Sequence, residues 1–189
     1  MLLSCLKKLI GCFFCLALCM PGSVLAQEAR LENIIVTNTR DDLLIFLNVE
    51  GAFTEKMENA VLSGVPITFS YYINLYSIRN LWFDKKLTDT KITHTLKYNS
   101  LKKEFIVRRS WGNPEPLVVD SFETAKKMVC KIDSVVLIEL DKLKKGRQYQ
   151  IRAKAELNKK TLPFNLHYVL FFVSLWDFET DWYTIDFIY

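Results

Sequence analysis

The segment from Arg147 to Leu157 alternates between polar and apolar side chains from Gln148 onward, and this period constrains the fold more than any other feature. Its apolar positions are Tyr149, Ile151, Ala153, Ala155 and Leu157. Successive side chains of a β-strand point to opposite faces, so the pattern predicts a strand with one face on a core and one in solvent. That arrangement is typical of antiparallel sheets, because parallel sheets are usually covered on both faces.

The same period of two recurs along the chain and predicts further strands. Turn-forming residues at 38–42 and 99–103 separate neighbouring apolar runs, which predicts two β-hairpins. In residues 67–76 the second face is polar and aromatic, and we expect it to meet water or a ligand. The predicted strands lie at residues 31–36, 43–49, 67–76, 87–98, 104–111, 135–140 and 182–189.

Two short segments carry helical signals instead. Thr54 is expected to cap a helix that runs to Ser63, and the Asp120-x-x-Glu123 pattern is typical of a capping box at the start of a second helix. The apolar segment 164–175 fits either a short buried helix or a strand. The sequence therefore predicts a mainly β fold: an antiparallel β-sandwich, of which an immunoglobulin-like arrangement is one form, with two or three short helices.

The first 26 residues have the organisation of a secretion signal. Lys7 and Lys8 precede an uncharged apolar run, residues 9–20, which is shorter than the roughly 20 residues needed to span a bilayer. Val24-Leu25-Ala26 resembles a cleavage site. We therefore expect residues 1–26 to be a signal peptide and residues 27–189 to be a single exported β-rich domain. A retained N-terminal anchor is the alternative.

Four of the five cysteines lie within this predicted signal, so Cys130 stands alone in the domain. An intramolecular disulfide or a cysteine-based zinc site is therefore excluded there. We expect Cys130 to be a small buried residue on a helix. The net charge is only +4, and acids and bases alternate along the chain, which argues against a nucleic-acid partner.

Motifs for catalysis, cofactors or metals do not stand out in the sequence. His94 is predicted to lie on the same strand face as Ile92 and Leu96, and His167 lies within an apolar segment. The chain lacks both a Gly-x-Ser-x-Gly elbow and a glycine-rich phosphate loop. We predict no catalytic residue, no cofactor and no metal, and we keep an envelope hydrolase using His94 or His167 as an alternative. A solvated loop is favoured over a glycosidase or calcium site for the C-terminal acids Asp177, Glu179, Asp181 and Asp186.

The last predicted strand alternates Tyr183, Ile185, Phe187 and Tyr189 on one face. An aromatic-ended final strand resembles those of outer-membrane β-barrels, so a small barrel of that kind is a second alternative. We favour a central strand of a sandwich, with these aromatic side chains in the core.

Aromatic side chains also provide the candidates for binding. Exposed tyrosine and tryptophan commonly anchor interfaces, so we expect a non-enzymatic domain that binds a partner protein or an apolar ligand. Packing in the core is the alternative role for each candidate. The candidate interaction residues are Tyr72, Tyr76, Trp82, Trp111 and Trp182.

Several segments spread over the domain carry a family resemblance. They are Ser63-Gly64-Val65-Pro66, Leu81-Trp82-Phe83-Asp84, Leu143-Lys144-Lys145-Gly146-Arg147, Leu162-Pro163, and the tail from Trp176-Asp177 to Thr180-Asp181-Trp182-Tyr183. In these segments the chain resembles an exported bacterial family catalogued as domain of unknown function 4390. The family has no established activity, so the resemblance implies no active site. It implies one exported domain in the bacterial cell envelope, periplasmic or otherwise exported. We expect membrane contact only through the signal or an uncleaved anchor.

Overall fold

A computed structural model describes residues 29–112, 115–158 and 178–189. These residues form nine β-strands, two α-helices and one 3₁₀ turn. In chain order they are β1 (Arg30–Asn38), β2 (Asp42–Glu50), α1 (Glu55–Leu62), β3 (Ile67–Ser77), β4 (Lys85–Asn99), β5 (Glu104–Arg109), β6 (Leu117–Val119), α2 (Phe122–Cys130), β7 (Lys131–Glu139), the 3₁₀ turn (Leu140–Lys142), β8 (Gln148–Leu157) and β9 (Tyr183–Ile188). The predicted signal, the undecided segment 164–175 and His167 lie outside the described residues.

The strands form two sheets in which all pairs are antiparallel. The smaller sheet has the order β1-β2-β7, and the larger has the order β6-β5-β4-β3-β8-β9. Within the described residues neither sheet closes on itself, because β1 and β7 are edges of one and β6 and β9 are edges of the other. The mainly β, antiparallel, sandwich-like fold predicted from the sequence is confirmed.

One continuous apolar core joins the two sheets and both helices. The alternation in β8 is confirmed, since all five of its apolar side chains are buried. On β3 the core-facing side chains Phe69, Tyr71, Ile73 and Leu75 have no measurable exposure. Removal of this apolar surface from water is the main term that favours folding, since the core contains no disulfide to constrain the chain.

The ends of the helices follow from short polar side chains. Thr54 caps α1 as predicted, and its hydroxyl oxygen accepts a hydrogen bond from the backbone N–H of Met57 at 3.3 Å. The predicted start of the second helix is wrong by one residue: Ser121, not Asp120, caps α2 by accepting from the N–H of Thr124. Serine is as good a cap as aspartate, so the two adjacent residues compete for the position.

Two expectations about strands are also wrong. Strand β7 begins at Lys131, directly after α2, which is four residues before the start of the strand predicted at 135–140. Among the described strands, β9 lies at an edge of the larger sheet and not in its centre. Its Phe187 stacks on Tyr149 at a ring separation of 5.7 Å, whereas Tyr183 is about half exposed, at 48%. The sequence period correctly gave the face of each side chain in β9, but a period carries no information about strand order.

Candidate functional site

Three of the five candidate interaction residues lie on one face of the larger sheet. Tyr72 and Tyr76 point away from the core on β3. Trp182 directly precedes β9 on the same side of the sheet, where the Nζ of Lys154 of β8 lies over its ring. Strand β8 lies between β3 and β9, so the two tyrosines and the tryptophan flank it. We call this surface the outer face, defined by Tyr72, Tyr76, Lys86, Lys91, Arg152, Lys154 and Trp182.

A positively charged side chain from a neighbouring strand lies over each aromatic ring of the outer face. The register places Lys91 of β4 opposite Tyr72, and its Nζ lies 4.9 Å from the ring centroid. The guanidinium of Arg152 lies 4.5 Å from the Tyr76 ring, on the side opposite β4. The Nζ of Lys154 lies 5.7 Å from the Trp182 ring. Cation–π attraction of this kind fixes the orientation of the rings before any ligand arrives.

Acidic partners neutralise much of this positive charge. The hydroxyl of Tyr72 donates to Glu156 at 2.8 Å, and Lys154 is paired with Glu179. Arg152 lies 3.7 Å from the carboxylate of Asp84. The outer face is therefore a mixture of aromatic rings and paired charged groups. Such a mixture suits the binding of another protein better than the binding of a small anion.

The face between the two tyrosines is less open than the sequence predicts. Ser70 and Asn74, which flank Tyr72 on the same side of β3, are 0% and 7% exposed. Tyr72 and Tyr76 are themselves half-buried. The expectation that this side of β3 meets water therefore holds only for the outer parts of the two tyrosines.

The other two candidates lie apart from the outer face. Trp82 is 78% exposed in the loop that joins β3 to β4. Trp111, which follows β5, stacks on His94 with a ring separation of 4.8 Å and an interplanar angle of 12°. The Trp111 ring is therefore directed at the core, with the Arg109 guanidinium 5.1 Å above it. Binding roles for these residues remain predictions.

His94 has a structural environment and does not fit the hydrolase alternative. The side chain has no measurable exposure, and its Nδ1–H donates to the Val129 carbonyl at 2.8 Å. Tyr71 donates to the same carbonyl. Burial lowers the pKa of His94 to about 4, so the ring is neutral at physiological pH. Among the described residues no carboxylate or hydroxyl is hydrogen-bonded to the ring, so a triad does not form around it.

The acids near the C-terminus do not come together. Glu179 is paired with Lys154, and Asp186 accepts a hydrogen bond from Gln150 at 2.8 Å. Asp181 is exposed, and Asp177 lies outside the described residues. In the ranges that the structure describes, no group of three or more histidine, cysteine or acidic side chains is placed to hold a metal ion.

A second surface, which the sequence did not reveal, lies at the end of the larger sheet. The loops 78–84 and 143–147 meet there around a cleft of about 990 Å³, which Arg79, Lys144, Lys145 and Arg147 line together with Leu81 and Trp82. The run Lys142–Arg147 is visible in the sequence as a basic stretch. Its meeting with loop 78–84 depends on β3 and β8 being neighbours, which only the topology shows.

The described residues contain no helix that is both long and apolar enough to cross a membrane. No curated protein and no solved structure matches the chain. A family described as "Domain of unknown function (DUF4390)" matches residues 26–186, which is most of the chain. The protein therefore belongs to the DUF4390 family.

Proposed function

We propose that this protein is an exported, non-enzymatic domain of the cell envelope that binds a partner protein through the outer face. The predicted signal over residues 1–26 supports export. The family match begins at residue 26, which coincides with the end of that predicted signal. The match ends at residue 186, within β9, in agreement with a single functional domain.

The observation that carries the proposal is the convergence of Tyr72, Tyr76 and Trp182, each with a cation against its ring. Tyrosine, tryptophan and arginine are the residue types that most often dominate binding energy at protein interfaces. Rings that are already held in place lose little side-chain freedom on binding, so more of the contact energy appears as affinity. Strands β3, β4 and β8 contribute to the surface, together with Trp182 directly before β9.

The chemistry of the one histidine in the described ranges supports binding over hydrolysis. His94 is neutral, enclosed and engaged with a backbone carbonyl, so it is in no position to take a proton from a substrate. The outer face offers aromatic rings and paired charges instead of a nucleophile with an adjacent base.

Photo-crosslinking in intact cells tests the proposal. A photoreactive phenylalanine analogue is placed at Tyr72, Tyr76 or Trp182, and at Val136 as the matched control. Val136 is 51% exposed on the smaller sheet, away from the outer face. We expect one shared protein adduct from the three outer-face positions and none from Val136.

Alanine variants then separate binding from folding. Tyr76→Ala and Trp182→Ala should each weaken capture of that partner by roughly tenfold or more, as expected for an interface anchor. Their thermal unfolding midpoints should stay close to that of the parent protein. If the outer-face positions give no specific adduct, or if the alanine variants capture the partner normally, the outer face is not the binding surface.

A further inference from the structure

Loop 78–84, which joins β3 to β4, directs three consecutive apolar side chains into solvent. Leu81, Trp82 and Phe83 are 91%, 78% and 95% exposed. Asp84 closes the loop by accepting a hydrogen bond from the backbone N–H of Arg79 at 3.3 Å. Isolated exposed apolar residues are ordinary, but three adjacent ones at the tip of a closed loop indicate a surface that meets another apolar phase.

Four cations surround this apolar tip and have no ion-pair partner within the described residues: Arg79, Lys144, Lys145 and Arg147. No acidic side chain lines the cleft between them. The contrast with the outer face is direct, because Lys86, Arg152 and Lys154 there each lie close to a carboxylate. The side chains that line the cleft therefore carry a net positive charge.

The backbone holds both loops in place at the same end of the larger sheet. The end of β3 and the start of β8 are antiparallel neighbours, and the N–H of Ile78 donates to the carbonyl of Gln148. Loop 143–147 turns at Gly146, whose φ of 73° is in the left-handed region that favours glycine. Its backbone is further paired with Tyr189 after β9. The apolar tip and the basic cleft thus form one surface.

We propose that this surface, the basic tip (Arg79, Leu81, Trp82, Phe83, Lys144, Lys145 and Arg147), docks on an anionic phospholipid bilayer. A leaflet has negatively charged headgroups above an apolar interior, and the basic tip presents cations beside protruding apolar side chains. Tryptophan favours the interface between these layers. Leu81, Trp82 and Phe83 are each more than three-quarters exposed, which fits insertion into lipid better than reception of a peptide. This contact would be separate from the N-terminal segment, and it does not require the outer face to bind a protein.

Quenching of Trp82 by lipids with brominated acyl chains tests the proposal on the full chain. Vesicles contain phosphatidylcholine alone or phosphatidylcholine with phosphatidylglycerol. We expect Trp82 to be quenched in the anionic vesicles and to recover at high salt, because screening weakens the attraction of the cations. A Trp82→Phe chain identifies the part of the quenching that belongs to Trp82. This signal is local to the tip, so it is informative whether or not residues 1–26 are retained.

Two double variants and two matched controls define the surface. Leu81→Ser with Phe83→Ser, which keeps Trp82 as the reporter, should weaken the lipid-dependent quenching by roughly tenfold or more. Lys144→Glu with Lys145→Glu should do the same through lost electrostatic attraction. The controls lie in the β4–β5 turn, at the opposite end of β4: Leu101→Ser, at a side chain that is 95% exposed, and Lys102→Glu with Lys103→Glu. All seven substituted positions are exposed and lie in loops or turns, and the controls should behave as the parent chain.

Three outcomes would overturn the proposal. The first is that anionic vesicles leave Trp82 unquenched, and the second is that the control variants lose quenching as much as the tip variants. The third is that the tip responds to inorganic phosphate but not to vesicles. Protection of Trp82 by a second copy of the chain, seen as concentration-dependent dimerisation that the tip variants abolish, would assign the surface to self-association instead. None of these results depends on the crosslinking experiment at the outer face.

Discussion

His94 lies where the carbonyl of Val129, near the end of α2, needs a hydrogen-bond donor. The last carbonyls of a helix have no partner within the helix, and Tyr71 and His94 both donate to this one from the larger sheet. The His94 ring is then enclosed by Trp111 on one side and by Tyr71, at 5.0 Å, on another. The sequence placed His94 on an inward strand face but gave no means of finding its acceptor, which lies 35 residues away.

This environment makes the stability of the protein depend on pH through His94. Burial is the largest cause of the lowered pKa; Arg109 lowers it further, whereas the Val129 hydrogen bond and Asp133 act in the opposite direction. With a pKa of about 4 when folded and 6.5 when unfolded, the unfolded chain binds more protons between these values. The stabilisation by neutral His94 is therefore complete above pH 6.5 and is lost as the pH falls towards 4.

We expect the free energy of unfolding to fall by about 2 kcal/mol as the pH is lowered from 7 to about 5, because of His94 alone. Urea unfolding of the parent chain and of His94→Asn at both pH values measures it. Asparagine keeps a donor near the Nδ1 position but does not titrate, so the pH-dependent loss should be smaller in the variant by that amount. Equal pH dependence in the two chains would show that the folded His94 titrates normally.

At the scale of elements, the sequence predicted correctly those features that depend only on neighbouring residues. The cap of α1 and the burial of alternate residues in β8 both follow from short stretches of sequence. The direct passage from α2 into β7 was missed because the pairing of Lys131 with Asn48 of β2, which extends the strand back to the helix, joins distant parts of the chain. The edge position of β9 was missed for the same reason, since strand order is set by long-range pairing.

The cap of α1 provides a prediction at this scale. Thr54→Ala removes the oxygen that accepts from the Met57 N–H and should lower the free energy of unfolding by about 1 kcal/mol. Thr54→Ser keeps the oxygen and should remain within a few tenths of the parent value, because Thr54 is exposed and its methyl group packs little. Urea unfolding at pH 7 measures both. An equal loss in the two variants would mean that the methyl group, and not the cap, is important.

At the scale of the whole molecule, the two candidate surfaces arise from the order of strands in the larger sheet. The individual residues of the outer face were identifiable from the sequence as aromatic candidates, but their convergence depends on β8 separating β3 from β9. The basic tip depends on the same order, which brings loops 78–84 and 143–147 together. The residue types of both surfaces can be read from the sequence, whereas their assembly into surfaces depends on the order of the strands.

The same topology predicts a single cooperative unfolding transition, because one core joins both sheets and both helices. The accessibility of Cys130 measures this transition, because the residue lies at the junction of α2 and β7 and is only 8% exposed. Burial raises the pKa of its thiol to about 12. In a chain with serine at the four cysteines of residues 1–26, Cys130 is the only thiol. We expect a disulfide reagent at pH 7 to modify it at least roughly a hundredfold more slowly in the native chain than in the urea-unfolded chain.

The urea midpoint of Cys130 modification should coincide with that of tryptophan fluorescence, since access to the thiol then requires loss of the shared core. Thermal stability of the serine-substituted chain, compared with that of the unsubstituted chain, controls for the substitutions themselves. Modification at clearly lower urea than the fluorescence change would mean that the α2–β7 junction opens alone. In that case the helices and the smaller sheet would form a separate cooperative unit, and the larger sheet, with both candidate surfaces, would remain folded without them.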